Sequence, residues 1–428
     1  MKRAAVFLAV CLGAGLMTSC AKEAPPQRST RVILIGIDGA TWHRIDPLVQ
    51  AGRMPNLKSL IDEGAHAYLK TMMPSRSPAL WTSVATGKNF DKHGINDFTA
   101  ATGKDGEDIQ RIMHMTSNMR RTKALWNILS DAGKKVAFVG WWCTWPAEKV
   151  NGYMVSSYVP LEQTGGRGAP TKGTLMEGKS GQTWPPELFQ ELRPYLLPAS
   201  HVTYDQAKRF MDIEPVDMDR DIVEGFRWAY AADETYRRSA LHILEKDPNL
   251  DLIGVYFNGV DVMCHRYWKY IEPEKYPPFP VKDIARFGKS IDEYYVYTDG
   301  LIGELLKHRR PGDTIFVLSD HGFHDHGHDD GPDGIFIAAG QNIVKKPKLG
   351  QVRLVDIAPT VLALLDMDGA QDMDGRVVEE LFPKAWQKAY PKEQVATYDT
   401  GDWQAQTPIP SDVDEELMNR LKALGYVK

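Results

Sequence analysis

Five short apolar runs recur along this chain, and each reads as a strand covered on both faces. VILIGI begins at Val32, VAFV at Val136, LIGVYF at Leu252, TIFVL at Thr314 and IFIAA at Ile335. A strand with one wet face alternates apolar and polar residues, whereas unbroken runs rich in β-branched and aromatic side chains belong to a buried, parallel sheet. Helical patterns separate the runs, including residues 219–245 and 291–306. That alternation predicts an α/β fold with a mainly parallel central sheet and helices on both faces. Ligands of such sheets bind beyond the carboxyl ends of the strands, so the residues following each run are the ones to read for chemistry.

Those residues are polar in a particular way. Asp38 and Gly39 follow VILIGI, and SDHGFHDHGHDD (residues 319–330) follows TIFVL. LIGVYF leads into NGVDVMCHRYW, where Asp261 and His265 are four apart and face the same way on one helical turn. Carboxylates and imidazoles are ligands for borderline and hard cations. Each group alone has a plain structural counterpart: a capping aspartate, a His–Asp hydrogen bond, a solvated loop. A fourth segment, PSRSPALWTSVATG, places Ser77 before Pro78 at the expected start of a helix, as an N-cap followed by a proline at the first helical position. A hydroxyl there would lie beside unpaired backbone N–H groups, a natural seat for a phosphoryl oxygen. Together the segments put one hydroxyl, three carboxylates and several imidazoles at the ends of strand-like runs.

The motifs VILIGIDG, SRSPALWTSVATG, HGI at His93, ALWNILSDAGKKVAFVGWWCTWPAEKVNG (residues 124–152), SDHGF and DGIFIAAG stand in the order found in the alkaline phosphatase superfamily. The chain resembles its type I phosphodiesterase/nucleotide pyrophosphatase branch over nearly all its length after residue 30. The resemblance implies an alkaline-phosphatase-like fold and two divalent metal ions, zinc foremost. Asp38, Ser77, Asp320 and His321 would hold one ion, and Asp261, His265 and a late histidine the other. His328 best fits the late position, with His324 and His326 as competitors, and His93 matches a histidine that is not a ligand. The implied activity is phosphoric ester hydrolysis, of a phosphodiester foremost, by in-line attack of Ser77 and a phosphoserine intermediate. A phosphomonoesterase, a phosphonate or sulfate ester hydrolase on the same site, and a non-catalytic binding lipoprotein are the alternatives.

Two departures bear on substrate. Relatives carry an Asn after HGI that binds a phosphoryl oxygen; Phe98 stands at that count here, with Asn96 the nearest candidate substrate contact and Asp97 beside it. Sulfatases need a Cys or Ser at the head of their PSR motif for conversion to formylglycine, and Met72 occupies that place, which excludes that chemistry.

The first 19 residues, MKRAAVFLAVCLGAGLMTS, have the basic start, apolar middle and small-residue end of a secretory signal. MTSC resembles a lipobox, so Cys20 is the expected lipidation site, residues 20–30 a polar tether, and the membrane a partner through a lipid anchor. Export to a bacterial membrane follows as an expectation, on the periplasmic side of an outer membrane given Ala21. Losing Lys2 and Arg3 moves the formal charge from −5 to −7; an acidic chain of this kind gives no footprint for nucleic acid. Cys143 and Cys264 make no disulfide framework. Residues 31–428 are expected as one catalytic domain; the chain turns rich in Gly, Pro and Thr at 161–200, and the stretch 153–217 is expected as an excursion acting as a cap over the site. Trp141, Trp142 and Trp145 can stack on a leaving group or pack in the core, and the closing EELMNRLKALGYVK has helical periodicity.

Overall fold

The computed structural model of the chain describes residues 31–102, 111–157, 159, 162–163, 174–175, 180–325, 327–390 and 393–401. Its centre is a nine-stranded sheet. In chain order the strands are β1 (Val32–Ile37), β2 (Ala65–Lys70), β3 (Val136–Val139), β4 (Gly152–Val155), β5 (Thr183–Trp184), β6 (Leu252–Phe257), β7 (Thr314–Leu318), β8 (Gly334–Gly340) and β9 (Val352–Arg353). Side by side they lie in the order β9-β2-β8-β7-β1-β6-β3-β4-β5. All five apolar runs are strands, and β7, β1, β6, β3 and β4 form a parallel block.

The outer strands depart from that pattern. β8 runs antiparallel to β7 and to β2, and β5 antiparallel to β4. The described residues of 319–333, between β7 and β8, contain no helix, and an antiparallel neighbour needs no crossover helix whereas a parallel one does. The direct return keeps the His-rich segment at the edge where β1 and β6 also end.

Period-two alternation splits each central strand between two cores. Ile33, Ile35, Val255 and Val317 face helices α1 (Trp42–Gln50), α3 (Asp221–Lys246), α4 (Gly259–Tyr267) and α5 (Ser290–Leu306). Val32, Leu34, Tyr256, Phe316 and Leu318 face α2 (Ser77–Thr86) and α6 (Ile357–Leu364). The helices expected at 219–245 and 291–306 are thus present within two residues of the expected bounds.

Parts of the stretch 153–217 belong to the sheet and its core. Tyr153–Val155 belongs to β4 and residues 183–184 to β5, so both are part of the central sheet. Leu188, Leu192, Val202, Phe210, Met211 and Ile213 are buried in the same core as α3 and α4. These apolar residues, spaced among Gly and Pro, cover one flank of the sheet, and burying them stabilises the domain more than an open flap would. Residues 158, 160–161, 164–173 and 176–179 lie outside the described part, as do the signal and tether with Cys20, and the closing EELMNRLKALGYVK. Among the described residues no helix is long and apolar enough to cross a membrane.

Candidate active site

β7, β1 and β6 are adjacent, with neighbouring strands about 4.8 Å apart, so their carboxyl ends open onto one small area. Asp38 follows β1 directly, and Asp320 and His321 come two and three residues after β7. After β6 the chain turns into α4, which carries Asp261 and His265. Ser77 is supplied by α2 from the opposite face of the sheet. The site therefore straddles the sheet edge, with α2 on one side and α4 on the other. Asp233, fully buried in α3, accepts from the N–H groups of Asn258 and Gly259 and from Tyr294 Oη, which anchors the start of α4.

Asp38, Ser77, Asp261, Asp320 and His321 have no solvent exposure. Ser77 Oγ lies 3.5 Å from Asp38 Oδ1, and His321 Nε2 lies 3.2 Å from the same oxygen and 3.6 Å from Asp320 Oδ2. The other oxygen of Asp38 accepts a hydrogen bond from Tyr256 Oη, which in turn accepts from Trp142 Nε1 at 2.7 Å. Burial alone would raise the Asp38 carboxyl, but the His321 hydrogen bond and charge, with Tyr256, bring it down to about 2. Burial and then the Asp38 charge push Asp320 well above the usual carboxylate range. Burial opposes the charge on His321, yet Asp320 and Asp38 together lift it to about 10.

A second group adjoins the first. His328 Nε2 is 3.1 Å from His265 Nε2, and His265 Nε2 is 3.5 Å from Asp261 Oδ2. The rings of His321 and His328 stack with centroids 4.0 Å apart. Ligand atoms of Asp38, Asp320 and His321 all lie within 4.8 Å of one another, as do those of Asp261, His321 and His328. Burial, then the positive charge of His321, lowers both His265 and His328 to about 4. Both are therefore neutral at physiological pH, the form in which imidazole binds a metal.

These residues fit a pair of cations. Neither oxygen of Asp320 has a hydrogen-bond donor among the described residues, although the residue is wholly buried. A buried carboxylate without a donor is costly unless positive charge is brought to it. His321 Nδ1 donates to the carbonyl of Gly322 at 2.9 Å, which directs Nε2 into the cluster. Oxygen and imidazole donors with no thiolate suit zinc among the divalent ions.

The structure separates the competing histidines. His324 is turned outward to Asp330, at 2.7 Å, and Asp325, at 3.3 Å, while His328 is buried against His265 and His321. His326 lies outside the described residues. His93 is a buried structural residue: Ile95 N–H donates to its Nδ1, Nε2 contacts Ser83 Oγ at 2.9 Å, and burial lowers its pKa to about 3. Ser77 is itself the first helical residue of α2, and Arg76 takes the N-cap position. The row of free N–H groups expected beside the hydroxyl is reduced, because Pro78 has none and Ala79 and Leu80 both donate to Arg76 O. Asn96 and Asp97 are exposed, whereas the cluster residues Asp38, Ser77, Asp261, Asp320 and His321 are buried. Phe98 is buried and packs edge-on against Trp142, with centroids 5.6 Å apart. Trp141 is buried in the core and Trp142 is half-buried beside Tyr256. Cys143 and Cys264 are both free and buried.

Sequence reading missed several residues on which the site depends. Tyr256 was legible only as the end of an apolar run; its register opposite Gly36 places it on the Asp38 side of the sheet. Gly39 has φ +67°, and a Cβ built there would meet Asp261 Cβ and Oδ1 at 2.7 Å. Gly39→Ala should therefore meet both a left-handed backbone penalty of about 1–2 kcal/mol and a displaced Asp261. Thermal melting and zinc titration of that variant should show a lower midpoint and weaker binding of one equivalent, whereas two equivalents held at native affinity would contradict this contact.

The sheet, its two helical layers and this strand-end site define an alkaline-phosphatase-like α/β protein. A wild-type alkaline phosphatase, PafA, superposes with a TM-score of 0.54, at 11% identity over 83% of this chain and 99% of that one. A four-substitution variant of PafA gives 0.53 over the same shares. The chain belongs to the type I phosphodiesterase/nucleotide pyrophosphatase family, whose model matches residues 32–409. One stretch of 97 residues is 34% identical to the mouse ectonucleotide pyrophosphatase/phosphodiesterase family member 7. That stretch covers 22% of this chain and 20% of the mouse protein.

Proposed function

We propose that the chain is a metal-dependent phosphohydrolase that cleaves phosphate esters, diesters foremost, with Ser77 as nucleophile. One observation carries the reading: a wholly buried alcohol at the start of a helix faces the carboxylate of Asp38, within a cluster of three buried acids and three histidines. Asp38, Ser77, Asp320 and His321 would hold one divalent ion, and Asp261, His265 and His328 the other. When bound, two zinc ions would supply the positive charge that stabilises the attacking and leaving oxygens of an in-line displacement. Their four positive charges would balance three carboxylates and one serine alkoxide.

Within that frame Ser77 Oγ attacks phosphorus as the ester oxygen leaves on the opposite side, giving a phosphoserine. Attack of water at the same phosphorus then breaks the Ser77 Oγ–P bond and restores the hydroxyl. Asp38, whose Oδ1 lies 3.5 Å from Ser77 Oγ, acts as ligand and orienter. Tyr256 occupies its second oxygen, which leaves Oδ1 toward Ser77 and His321.

The amino terminus supports a place for this activity: an exported protein lipid-anchored through Cys20, on the periplasmic side of a bacterial membrane. Rates of zinc-loaded protein on matched aryl phosphodiesters, monoesters, phosphonates and sulfates test the reaction class. The diester is expected to give the highest kcat/KM. A monoester or sulfate turned over faster would shift the assignment to the corresponding hydrolase, and no turnover of any ester would favour a binding protein.

A further inference from the structure

We propose that Ser75, two residues before the nucleophile, is a positioning residue that sets which nitrogen His328 offers to a cation. The inference rests on His328 being a metal ligand, as in the reading above. Ser75 is 1% exposed, and its hydroxyl proton is committed to the backbone carbonyl of His328 at 2.6 Å. The hydroxyl oxygen then presents only lone pairs to His328 Nδ1, 3.4 Å away. A serine hydroxyl has one proton to give and two lone pairs, and a neutral imidazole has one N–H and one bare nitrogen. Bare nitrogen against bare oxygen would repel, so Nδ1 carries the hydrogen and Nε2 carries the lone pair. Nε2 is the atom that stands 3.1 Å from His265 Nε2. For His321 a peptide carbonyl does the same work; for His328 the task falls to a side chain of the nucleophile segment.

The same segment holds the rest of the loop. Arg76 pairs with Asp329 at 3.0 Å, Thr71 N–H donates to Asp333 Oδ1 at 3.2 Å, and Lys70 Nζ lies 3.1 Å from that oxygen. The Arg76 and Lys70 pairs are solvent-accessible and contribute little alone. Ser75 and Thr71 are the buried members of the set, and Ser75 is the one whose side chain meets His328. Nucleophile placement and retention of the second ion are thereby coupled through one hydroxyl.

A purely structural role for Ser75 would lower thermal stability without singling out one metal site. The test titrates wild type, Ser75→Ala and Ser75→Thr with zinc against a chromophoric chelator, and follows cobalt(II) absorption at the weaker site. Wild type is expected to take up two equivalents. Ser75→Ala should keep one at native affinity and hold the other about 10–100-fold more weakly, with an altered cobalt spectrum for that ion alone. Ser75→Thr, which retains the hydroxyl, should restore both. Ser75→Cys, which keeps side-chain volume but is a poor hydrogen-bond acceptor, should show the same single-site weakening and serves if the alanine protein is unstable. Two equivalents at native affinity in Ser75→Ala or Ser75→Cys, or a threonine variant no better than alanine, would overturn the proposal. Fewer than two equivalents in wild type would instead remove the metal reading of the site, and this inference with it.

Discussion

Ser77→Ala is expected to lower kcat by roughly 10⁴ to 10⁶-fold, the range seen when a covalent nucleophile is removed from an otherwise intact site. At about 1.4 kcal/mol per decade this corresponds to roughly 5–8 kcal/mol of lost transition-state stabilisation. Metal content should fall little, because Asp38, Asp320 and His321 remain, with their ligand atoms within 4.8 Å of one another. The fold should also survive: Ser77 is the first residue of α2, its N-cap is Arg76, and Leu80, Trp81 and Val84 hold the helix in the core. Single-turnover kinetics with acid quenching should trap labelled phosphoserine in wild type and none in the variant. Near-native turnover without Ser77 would eliminate the covalent route while leaving the metal cluster untouched.

Stripping divalent ions with a chelator is expected to abolish turnover and to lower the thermal midpoint, with zinc restoring both. If zinc is present at a thousand times its dissociation constant, about 4 kcal/mol of stability depends on each ion. The loss should depend on pH in a defined direction. In the metal-free chain His321 is raised from 6.5 to about 10. Its contribution to stability is therefore complete below about pH 6.5 and disappears as pH rises through 10. Asp320 is raised well above 3.8, so its ionisation also opposes folding as pH increases. Both shifts favour proton uptake by the empty site. A bound ion displaces those protons, so apparent zinc affinity should rise with pH, and the midpoint difference between loaded and stripped protein should widen from pH 6 to pH 9. Calorimetry in buffers of different ionisation enthalpy should register proton release on zinc binding at pH 7. A difference that narrows toward alkaline pH would contradict the shared burial of Asp38, Asp320 and His321.

Much of this arrangement is legible in the chain because the fold is built from local rules. VILIGI, LIGVYF and TIFVL are unbroken apolar runs, and a run buried on both faces belongs to the middle of a covered sheet. The residues following them emerge at the carboxyl edge whichever helices intervene, which points to Asp38, Asp261 and the 319–330 cluster; the family resemblance is what singles out Asp320 and His321 within that cluster. The outer strands are less legible for the same reason. AHAYLK at β2 is half-exposed and alternates only loosely, while β5 and β9 are two residues each and carry no periodic signal.

The contacts that orient the ligands were not readable. Tyr256 meets Asp38 across 218 positions of sequence and Ser75 meets His328 across 253, so neither pattern nor spacing encodes them. Gly39 has a turn-like neighbourhood that explains a glycine without reference to Asp261. Within 153–217, glycines and prolines are matched in number by leucines and aromatics, so composition alone does not say which parts pack into the core.

The central claim is that two divalent cations are gathered around Ser77 by ligands from three adjacent strand ends and the start of α2. X-ray anomalous diffraction at the zinc edge, on crystals of zinc-loaded protein, tests it most directly. Two separate peaks are expected, one bounded by Asp38, Ser77, Asp320 and His321 and the other by Asp261, His265 and His328. A single peak, or zinc bound only at outward-facing side chains such as His324, would contradict the account.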